Sequence, residues 1–504
     1  MAKSQRKTGM LLSYSSSLLL AAVNIFLTPF LIRSLGQVEY GIYQSMASFA
    51  GYLVLMNFGT GTVMTRYVSM YLGKGDKKNE RNYIAMCLII TGVLAVVIAG
   101  VSMGMYFSLD TIYAATINPD QMVRAKALFL IVTANVLMTL VSQAFQGIIT
   151  AYEKFNFTGI WNIARVLLKV ALLVTIFCFW KNSMAIALVD LSLTCLFTLM
   201  CICFCVFKLK ATPKLYKFDK QIFTSSAMFS LAIMLQSVVN QVNSKVDITI
   251  LGIMINQESV AKYSVAMQVF SIFSTLSTAA IAIYLPKFTK LIASGEASGE
   301  MITKEMIAPS RIQTLVSGTI MFGFLVCGLD FIYMWMGEGF SISWWIAIII
   351  LIPSFLVYTN GVVVSVLDAM QKRLVRSVVL ACVAVANVII TIILVDIIGE
   401  MGAPIGTAIA TTIGSFVIMN IYYKKAIGIK IGMLFKGIFK GILPCFLVAT
   451  AVTLPATFLI PVSTAGLFIK GGIFVAVLGG TLLLFGFNKE EKALVLKPLR
   501  RGKR

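Results

Sequence analysis

Two basic residues lie inside an apolar segment of the chain, where a charged side chain needs a partner. Asn162, Arg165 and Lys169 recur at steps of three and four residues, which places them on one face of a helix. At 1.5 Å per residue, Lys169 lies roughly 18 Å from the start of that segment. A cation that deep in hydrocarbon costs about 2.5–3.5 kcal/mol, so it must face water, a counter-ion or a ligand. This pattern predicts contact with an anionic ligand; a structural pair with Asp190 or Asp247 is the alternative.

Polar residues are spaced in the same way in several other apolar segments. Amides and hydroxyls can hydrogen-bond sugar hydroxyls, although such groups also join helices to one another. We predict a polar cavity lining of Asn24, Asn162, Gln143, Gln236, Asn240, Asn243 and Gln268. Asp247 continues the stripe of Asn243, and with Asp190 it is our candidate for coupling to H⁺ or Na⁺. Neither a cofactor nor a metal site is predicted.

The elements that carry these residues are membrane-spanning helices. Hydrophobic residues make up 59% of the 504 and charged residues only 12%, about half the usual charged share, so lipid must replace water around the chain. Segments long enough to span occur at 9–32, 41–64, 83–107, 126–150, 157–180, 184–207, 222–244, 260–284, 312–336, 344–367, 376–398, 402–423, 435–457 and 464–487. The predicted fold is an all-α polytopic membrane protein with about 14 transmembrane helices.

The distribution of basic residues predicts how these helices are oriented. With both termini cytoplasmic, 33 of the 42 Lys and Arg residues fall on the inner side and seven on the outer side. This positive-inside bias accounts for the net charge of +22, so no nucleic acid is expected as a partner. His is absent, which removes the commonest general base, and a membrane enzyme would need a catalytic group on a sizeable outside loop.

A weak internal repeat divides the chain. When the chain is laid on itself so that position 41 meets position 261, Gly41-Ile-Tyr43 aligns with Ala261-Lys-Tyr263, and the segment 67–76 aligns with 287–296 in the same register. Parallel repeats of this kind recur in transporters. The predicted domains are an N-terminal lobe at 1–208, a basic linker at 209–221, a C-terminal lobe at 222–424, and two extra helices with a basic tail at 425–504.

Two stretches resemble a known family. The sequence PFLIRSLGQVEYGIY from Pro29 to Tyr43, and GTGTVMTRYVSMY from Gly59 to Tyr71 followed by Gly73-Lys-Gly-Asp76, are similar to the first loop and second helix of bacterial polysaccharide and O-antigen flippases. These proteins belong to the multidrug/oligosaccharidyl-lipid/polysaccharide exporter superfamily, and the resemblance covers essentially the whole chain.

The resemblance implies two six-helix lobes in a V-shaped arrangement that alternates between inward-open and outward-open states in the bacterial cytoplasmic membrane. The implied cargo is an undecaprenyl-diphosphate-linked oligosaccharide, whose anionic group would meet Arg165 and Lys169 and whose lipid tail would stay among membrane lipids, along the last two helices. Arg33 and Arg66 would meet the cargo near the membrane faces. Polysaccharide polymerase machinery is the implied partner.

Other functions remain open on sequence grounds. A lipid II flippase needs the same phosphate-binding cations, whereas an ion-coupled multidrug antiporter of the same superfamily needs an acid in the first lobe, which Asp190 could supply. A polysaccharide polymerase or ligase is the alternative from another class. The chain contains no nucleotide-binding motif, so ATP hydrolysis is not encoded in it.

Overall fold

A computed structural model describes residues 2–217, 220–278, 284–293, 298–370, 372–488 and 491–492. Within these ranges the chain is helical and contains no strand, which confirms the prediction of an all-α polytopic membrane protein. Nine helices in the described part are long and apolar enough to cross a membrane. The count of 14 stays a prediction, because some predicted spans include residues that the structure does not describe and the span 41–64 is broken into two short helices.

The contacts divide the chain into two compact units, residues 1–261 and 262–504. The helices that lie in the first unit are α1 (Ala2–Leu35), α2 (Gln37–Gly51), α3 (Thr60–Lys74), α4 (Lys77–Ile112), α5 (Pro119–Ala151), α6 (Phe155–Phe179), α7 (Ser183–Cys203) and α8 (Lys220–Met254). Helix α5 packs along α7 and α3, and α1 packs along α6.

Helix α9 (Gln257–Thr278) begins in the first unit and continues into the second. The remaining helices are α10 (Leu285–Ala293), α11 (Gly299–Met336), α12 (Ser341–Thr359), α13 (Val363–Ala369), α14 (Arg373–Ile398), α15 (Gly402–Ala410), α16 (Met419–Ile427), α17 (Ile431–Phe439), α18 (Ile442–Leu459) and α19 (Thr464–Thr481). A π-helical segment, 411–418, joins α15 to α16 without a break.

The helix boundaries follow the repeat seen in the sequence. Helix α2 begins at Gln37 and α9 begins at Gln257, and the register of the repeat pairs these two positions. In the same register, the start of α6 falls close to the start of α14, and the start of α7 falls close to the start of α15. The two halves of the chain therefore share one succession of helices.

Helix α8 belongs to the first unit by its contacts. The Ser48 hydroxyl of α2 donates to the Lys245 carbonyl of α8 at 2.9 Å, and the Tyr52 hydroxyl donates to Thr249 at 3.2 Å. At the other end of α8, Ser226 shares a 3.0 Å hydrogen bond with Tyr83 of α4. The predicted lobes instead begin the second lobe at residue 222, following the repeat, and those boundaries stay a prediction.

The predicted span 41–64 is not one continuous helix. Helix α2 passes into a 3₁₀ segment, Tyr52–Asn57, and the chain then turns at Phe58 and Gly59, whose φ angles are 49° and 63°. Such positive φ values end a helix, and glycine accepts them without the Cβ clash that other residues meet. The apolar pattern could not show this break, since the residues on both sides of it are equally apolar.

The predicted span 435–457 begins later than the sequence indicates. Helix α17 ends at Phe439, and α18 starts at Ile442 after Gly441, whose φ is 79°. Both helices are apolar, so hydropathy alone predicts one continuous span where the structure has two helices. The break makes α17 a separate short helix that packs on α11 through buried Leu434 and Ile438.

Candidate functional site

Helix α6 is held between α1 and α7 by aromatic contacts and by one close approach of a side chain of α1 to a glycine of α6. Trp161 stacks on Phe197 of α7 with ring centroids 5.1 Å apart and an interplanar angle of 4°. Phe177, at the other end of α6, packs against Phe30 of α1 at 5.7 Å. A Cβ on Gly159 would lie 2.8 Å from the Cβ of Leu12, so only glycine lets α1 approach this closely. These contacts fix the orientation of α6, and therefore the direction in which its predicted polar residues face.

That face opens onto a cavity of about 390 Å³ in the first unit. Three helices, α1, α6 and α7, supply its walls. The polar lining comprises Ser16, Asn24, Asn162, Arg165, Lys169 and Asp190. Five of these residues were predicted from the sequence for the cavity or for coupling, and the structure brings them together.

Lys169 and Asp190 form an ion pair at the wall of the cavity. The Nζ atom of Lys169 lies 2.8 Å from Oδ2 of Asp190, and the two side chains are 27% and 16% exposed. The structure therefore shows the pairing of Lys169 with Asp190 that the sequence left as an alternative. Because both side chains keep access to the cavity, the pair is open to water and to ligands.

Arg165 lies one helical turn from Lys169 and has a neutral partner. One terminal nitrogen of its guanidinium donates to the Thr194 hydroxyl of α7 at 3.0 Å. Thr194 in turn donates to the Asp190 carbonyl at 2.8 Å, a bond within the same helix. Two cations and one carboxylate therefore lie in the lining, which leaves an excess of one positive charge. Such a cavity attracts anions and has further N–H donors available for oxygen ligands.

The other predicted residues lie elsewhere. Arg33 lies exposed in the last turn of α1, and Arg66 of α3 is exposed with its guanidinium carbon 5.7 Å from the Tyr67 ring centroid. Gln143 belongs to α5, and Asp247 is buried in α8 at 5% exposure. None of these is among the residues that line the described cavity, and their roles stay predictions.

Four predicted lining residues cannot be placed in this cavity. Gln268 lies on α9 in the second unit. The side chains of Gln236, Asn240 and Asn243 lie outside what the structure describes, although their backbone belongs to α8. Their predicted contribution therefore rests on the sequence.

Five of the ten lining residues were not predicted from the sequence; one of them, Ser16, is polar and the other four are apolar. Leu20, Val23 and Leu27 of α1 and Val166 of α6 line the cavity beside the polar groups. Nothing distinguishes these residues from the many apolar residues that face lipid. Their spacing on α1, at steps of three and four around Asn24, is the single signal that could have found them.

The second unit contains two further charge clusters, and in each of them the basic side chain is buried, whereas Lys169 is 27% exposed. Lys470 of α19 and Asp330 of α11 lie 2.8 Å apart and are only 1% and 2% exposed. Arg311 of α11 is 2% exposed and binds the Glu491 carboxylate at 2.7 Å, together with backbone carbonyls at the end of α17. Both clusters join the last helices of the chain to α11.

Comparison with known proteins identifies the class of protein to which this fold belongs. The lipid II flippase MurJ, in an inward closed conformation, superposes with a TM-score of 0.70 at 15% identity, covering 97% of this chain and 99% of MurJ. An inward-facing multidrug resistance transporter of the MATE family and MOP superfamily superposes with a TM-score of 0.63 at 14% identity, covering 81% and 94%. At this identity the likeness shows the fold alone, and that fold is one of multi-pass membrane proteins.

The sequence itself identifies the family. Residues 7–292 match the family of polysaccharide biosynthesis proteins, which is more than half of the chain, and the protein belongs to that family. It is also 20% identical to EpsK, an uncharacterized membrane protein of Bacillus subtilis (strain 168), over 96% of each chain. The resemblance noted in the first loop and second helix is thereby confirmed at the level of the family.

Proposed function

We propose that this protein is a flippase that moves an undecaprenyl-diphosphate-linked oligosaccharide across the bacterial cytoplasmic membrane. The observation that carries the proposal is the cavity of the first unit, where Arg165 and Lys169 lie among amides. The cations match the diphosphate, the amides match sugar hydroxyls, and membership of a polysaccharide biosynthesis family agrees with a glycan cargo.

The transport step needs binding and release but no bond chemistry in the cargo. In this proposal Arg165 binds the anionic group first, because its present partner in the structure is a neutral hydroxyl. Asn24 and Asn162 hydrogen-bond the first sugar, and the apolar wall of α1 lies beside it. Arg33 and Arg66 meet the cargo at the membrane faces, the lipid tail stays in the bilayer, and polysaccharide polymerase machinery takes the product. Alternating access, with both termini cytoplasmic, completes the proposal.

An ion-coupled multidrug antiporter is the second candidate, and Asp190 is the observation that favours it. A cationic drug needs a carboxylate, and Asp190 lines the cavity. However, Asp190 is already paired with Lys169, and the neighbouring Arg165 would repel a cation. The charge of the described lining therefore favours an anionic cargo. Lipid II is a second anionic cargo of the same chemistry, so a comparison of the two glycolipids belongs in the experiment.

The experiment measures flipping in proteoliposomes that contain a fluorescent undecaprenyl-diphosphate-linked oligosaccharide, lipid II, or the cation ethidium. The wild type should flip the oligosaccharide lipid faster than lipid II and should not accumulate ethidium. Lys169→Ala should lose at least about nine-tenths of the flipping rate, since a charge-assisted contact is removed. Lys169→Arg should restore much of the rate, because it returns the positive charge.

The control is Lys126→Ala, which removes a partly exposed cation that is paired with Asp110 outside the cavity. Each variant should be present in the membrane at the wild-type level. Undiminished flipping by Lys169→Ala, or ethidium transport without glycolipid flipping, would overturn the proposal.

A further inference from the structure

The charged groups of the first unit's cavity include one that opposes the binding of an anion. Asp190 lies 2.8 Å from Lys169, at the distance of a strong charge-assisted hydrogen bond. Any anion that is to contact Lys169 must first take the place of this carboxylate. A cavity built only to hold an anion tightly would have no reason to contain such a competitor.

The exposure of the pair distinguishes it from a structural ion pair. Asp330 and Lys470 in the second unit are 2% and 1% exposed, so their pair is closed to solvent. Lys169 and Asp190 are 27% and 16% exposed and line the cavity directly. A partner can therefore be exchanged at Lys169 without unpacking the helices, whereas an exchange at Lys470 would require the helices to separate.

From these observations we infer that Asp190 is a positioning residue that makes the hold of Lys169 on the cargo's diphosphate reversible. This inference rests on the proposed function. With the cavity empty, Asp190 neutralises Lys169 and keeps its ammonium group in place. When a diphosphate binds Arg165, one turn away, its second phosphate replaces the carboxylate at Lys169 and Asp190 turns toward the aqueous cavity. When the cargo leaves, Asp190 forms its ion pair with Lys169 again.

A competing carboxylate of this kind lowers the affinity for the diphosphate and thereby speeds its release. Transport requires binding that is favourable enough for the cargo to enter and weak enough for it to leave. Removing the charge of Asp190 should therefore tighten anion binding and slow transport at saturating cargo. A merely structural role for Asp190 predicts the opposite for binding, because Lys169 would lose its position and the affinity would fall.

The test uses the full-length protein in detergent, with inorganic pyrophosphate and an isoprenyl diphosphate as separate probes in titration calorimetry. Asp190→Asn keeps the shape and the hydrogen-bonding oxygen but removes the charge. It should bind both diphosphates about tenfold more tightly than the wild type, the change expected for one charge-assisted hydrogen bond. Tightening for the isoprenyl diphosphate alone would identify a lipid-linked group as the ligand, and tightening for pyrophosphate alone would identify a free anion and overturn the assignment to cargo.

Flipping kinetics supply the second measurement. In proteoliposomes Asp190→Asn should lower both the half-saturating cargo concentration and the maximal rate, each several-fold. Asp190→Glu keeps the competing charge and should stay within about threefold of the wild type on both measures, since the opposing charge is retained. If Asp190→Asn does not fold, as judged by gel filtration and thermal unfolding, Asp190→Ser serves as a second neutral variant.

Two outcomes separate this inference from the proposed function. If the wild type binds neither diphosphate and Lys169→Gln changes nothing, the proposed function fails together with the inference. If the wild type binds and Lys169→Gln weakens binding, but Asp190→Asn binds equally or more weakly, the inference alone is overturned. Asp330→Asn, which breaks the sealed pair, should leave diphosphate affinity unchanged.

Discussion

The sealed ion pair of the second unit allows a stability prediction with a worked magnitude. The Asp330 carboxylate accepts hydrogen bonds from Lys470 Nζ at 3.0 and 2.8 Å, and Oδ1 also accepts from the Ser463 amide at 3.3 Å. Asp330→Ala leaves the Lys470 ammonium buried at 1% exposure without its counter-charge. Removing one partner of a buried pair costs about 3–5 kcal/mol.

Thermal unfolding of the purified protein in detergent measures this cost. At about 2–4 °C per kcal/mol, the value for units of this size, the Tm of Asp330→Ala should fall by about 10 °C. The double variant Asp330→Leu with Lys470→Met should recover most of the loss, because two apolar side chains of similar size leave no unpaired charge. The control Asp110→Ala breaks an exposed pair with Lys126 and should change stability by less than about 1 kcal/mol.

The result that would refute this reasoning is a Tm for Asp330→Ala within about 2 °C of the wild type. It would mean that Lys470 finds another partner, or that water reaches it. A double variant that is less stable than Asp330→Ala would also contradict the argument, because the cost would then come from lost packing instead of from an unpaired charge.

Two further predictions concern contacts within the first unit. A Cβ on Gly147 of α5 would lie 2.4 Å from the Gly61 carbonyl oxygen of α3, so Gly147→Ala should lower both the Tm and the amount of protein in the membrane. The control Gly100→Ala adds a methyl group in open space and should lower neither. Equal losses in both variants would contradict this reasoning. The Asn82 side chain binds the backbone of residues 216–217 through three hydrogen bonds of 2.7–3.0 Å. Asn82→Ala should therefore speed tryptic cleavage in the basic linker several-fold in a limited-proteolysis assay, and an unchanged cleavage rate would show that other contacts hold the linker.

The sequence predicts the helical architecture well, because hydropathy records directly which segments avoid water. Predicted spans such as 157–180 and 184–207 agree with α6 and α7 to within a few residues at most of their ends. Hydropathy carries no information about backbone turns inside an apolar stretch. For that reason the breaks at Phe58 and Gly441 were not predicted, although glycine stands at or next to each of them.

Most polar groups of the candidate site were predictable from the sequence, with Ser16 as the exception. The spacing of Arg165 and Lys169 indicated one face of one helix, and the cost of burying a cation indicated that each needs a partner. Which partner Lys169 takes depends on which helix lies beside α6, and a single sequence does not record that neighbour. The apolar wall of α1 could not be predicted for a different reason. Hydropathy does not distinguish a leucine or valine that faces a cavity from one that faces lipid.

The repeated helix succession has a consequence for how the two halves have diverged. In the register of the repeat, position 169 of α6 meets position 389 of α14, which is Ile389. In the same register Asp190 of α7, which pairs with Lys169, meets Ala410 of α15. The same two positions of the repeated scaffold therefore carry an ion pair in one half and two apolar side chains in the other. Exchanging only these two pairs between the halves would show whether the ability to hold an anion belongs to the scaffold or to four side chains.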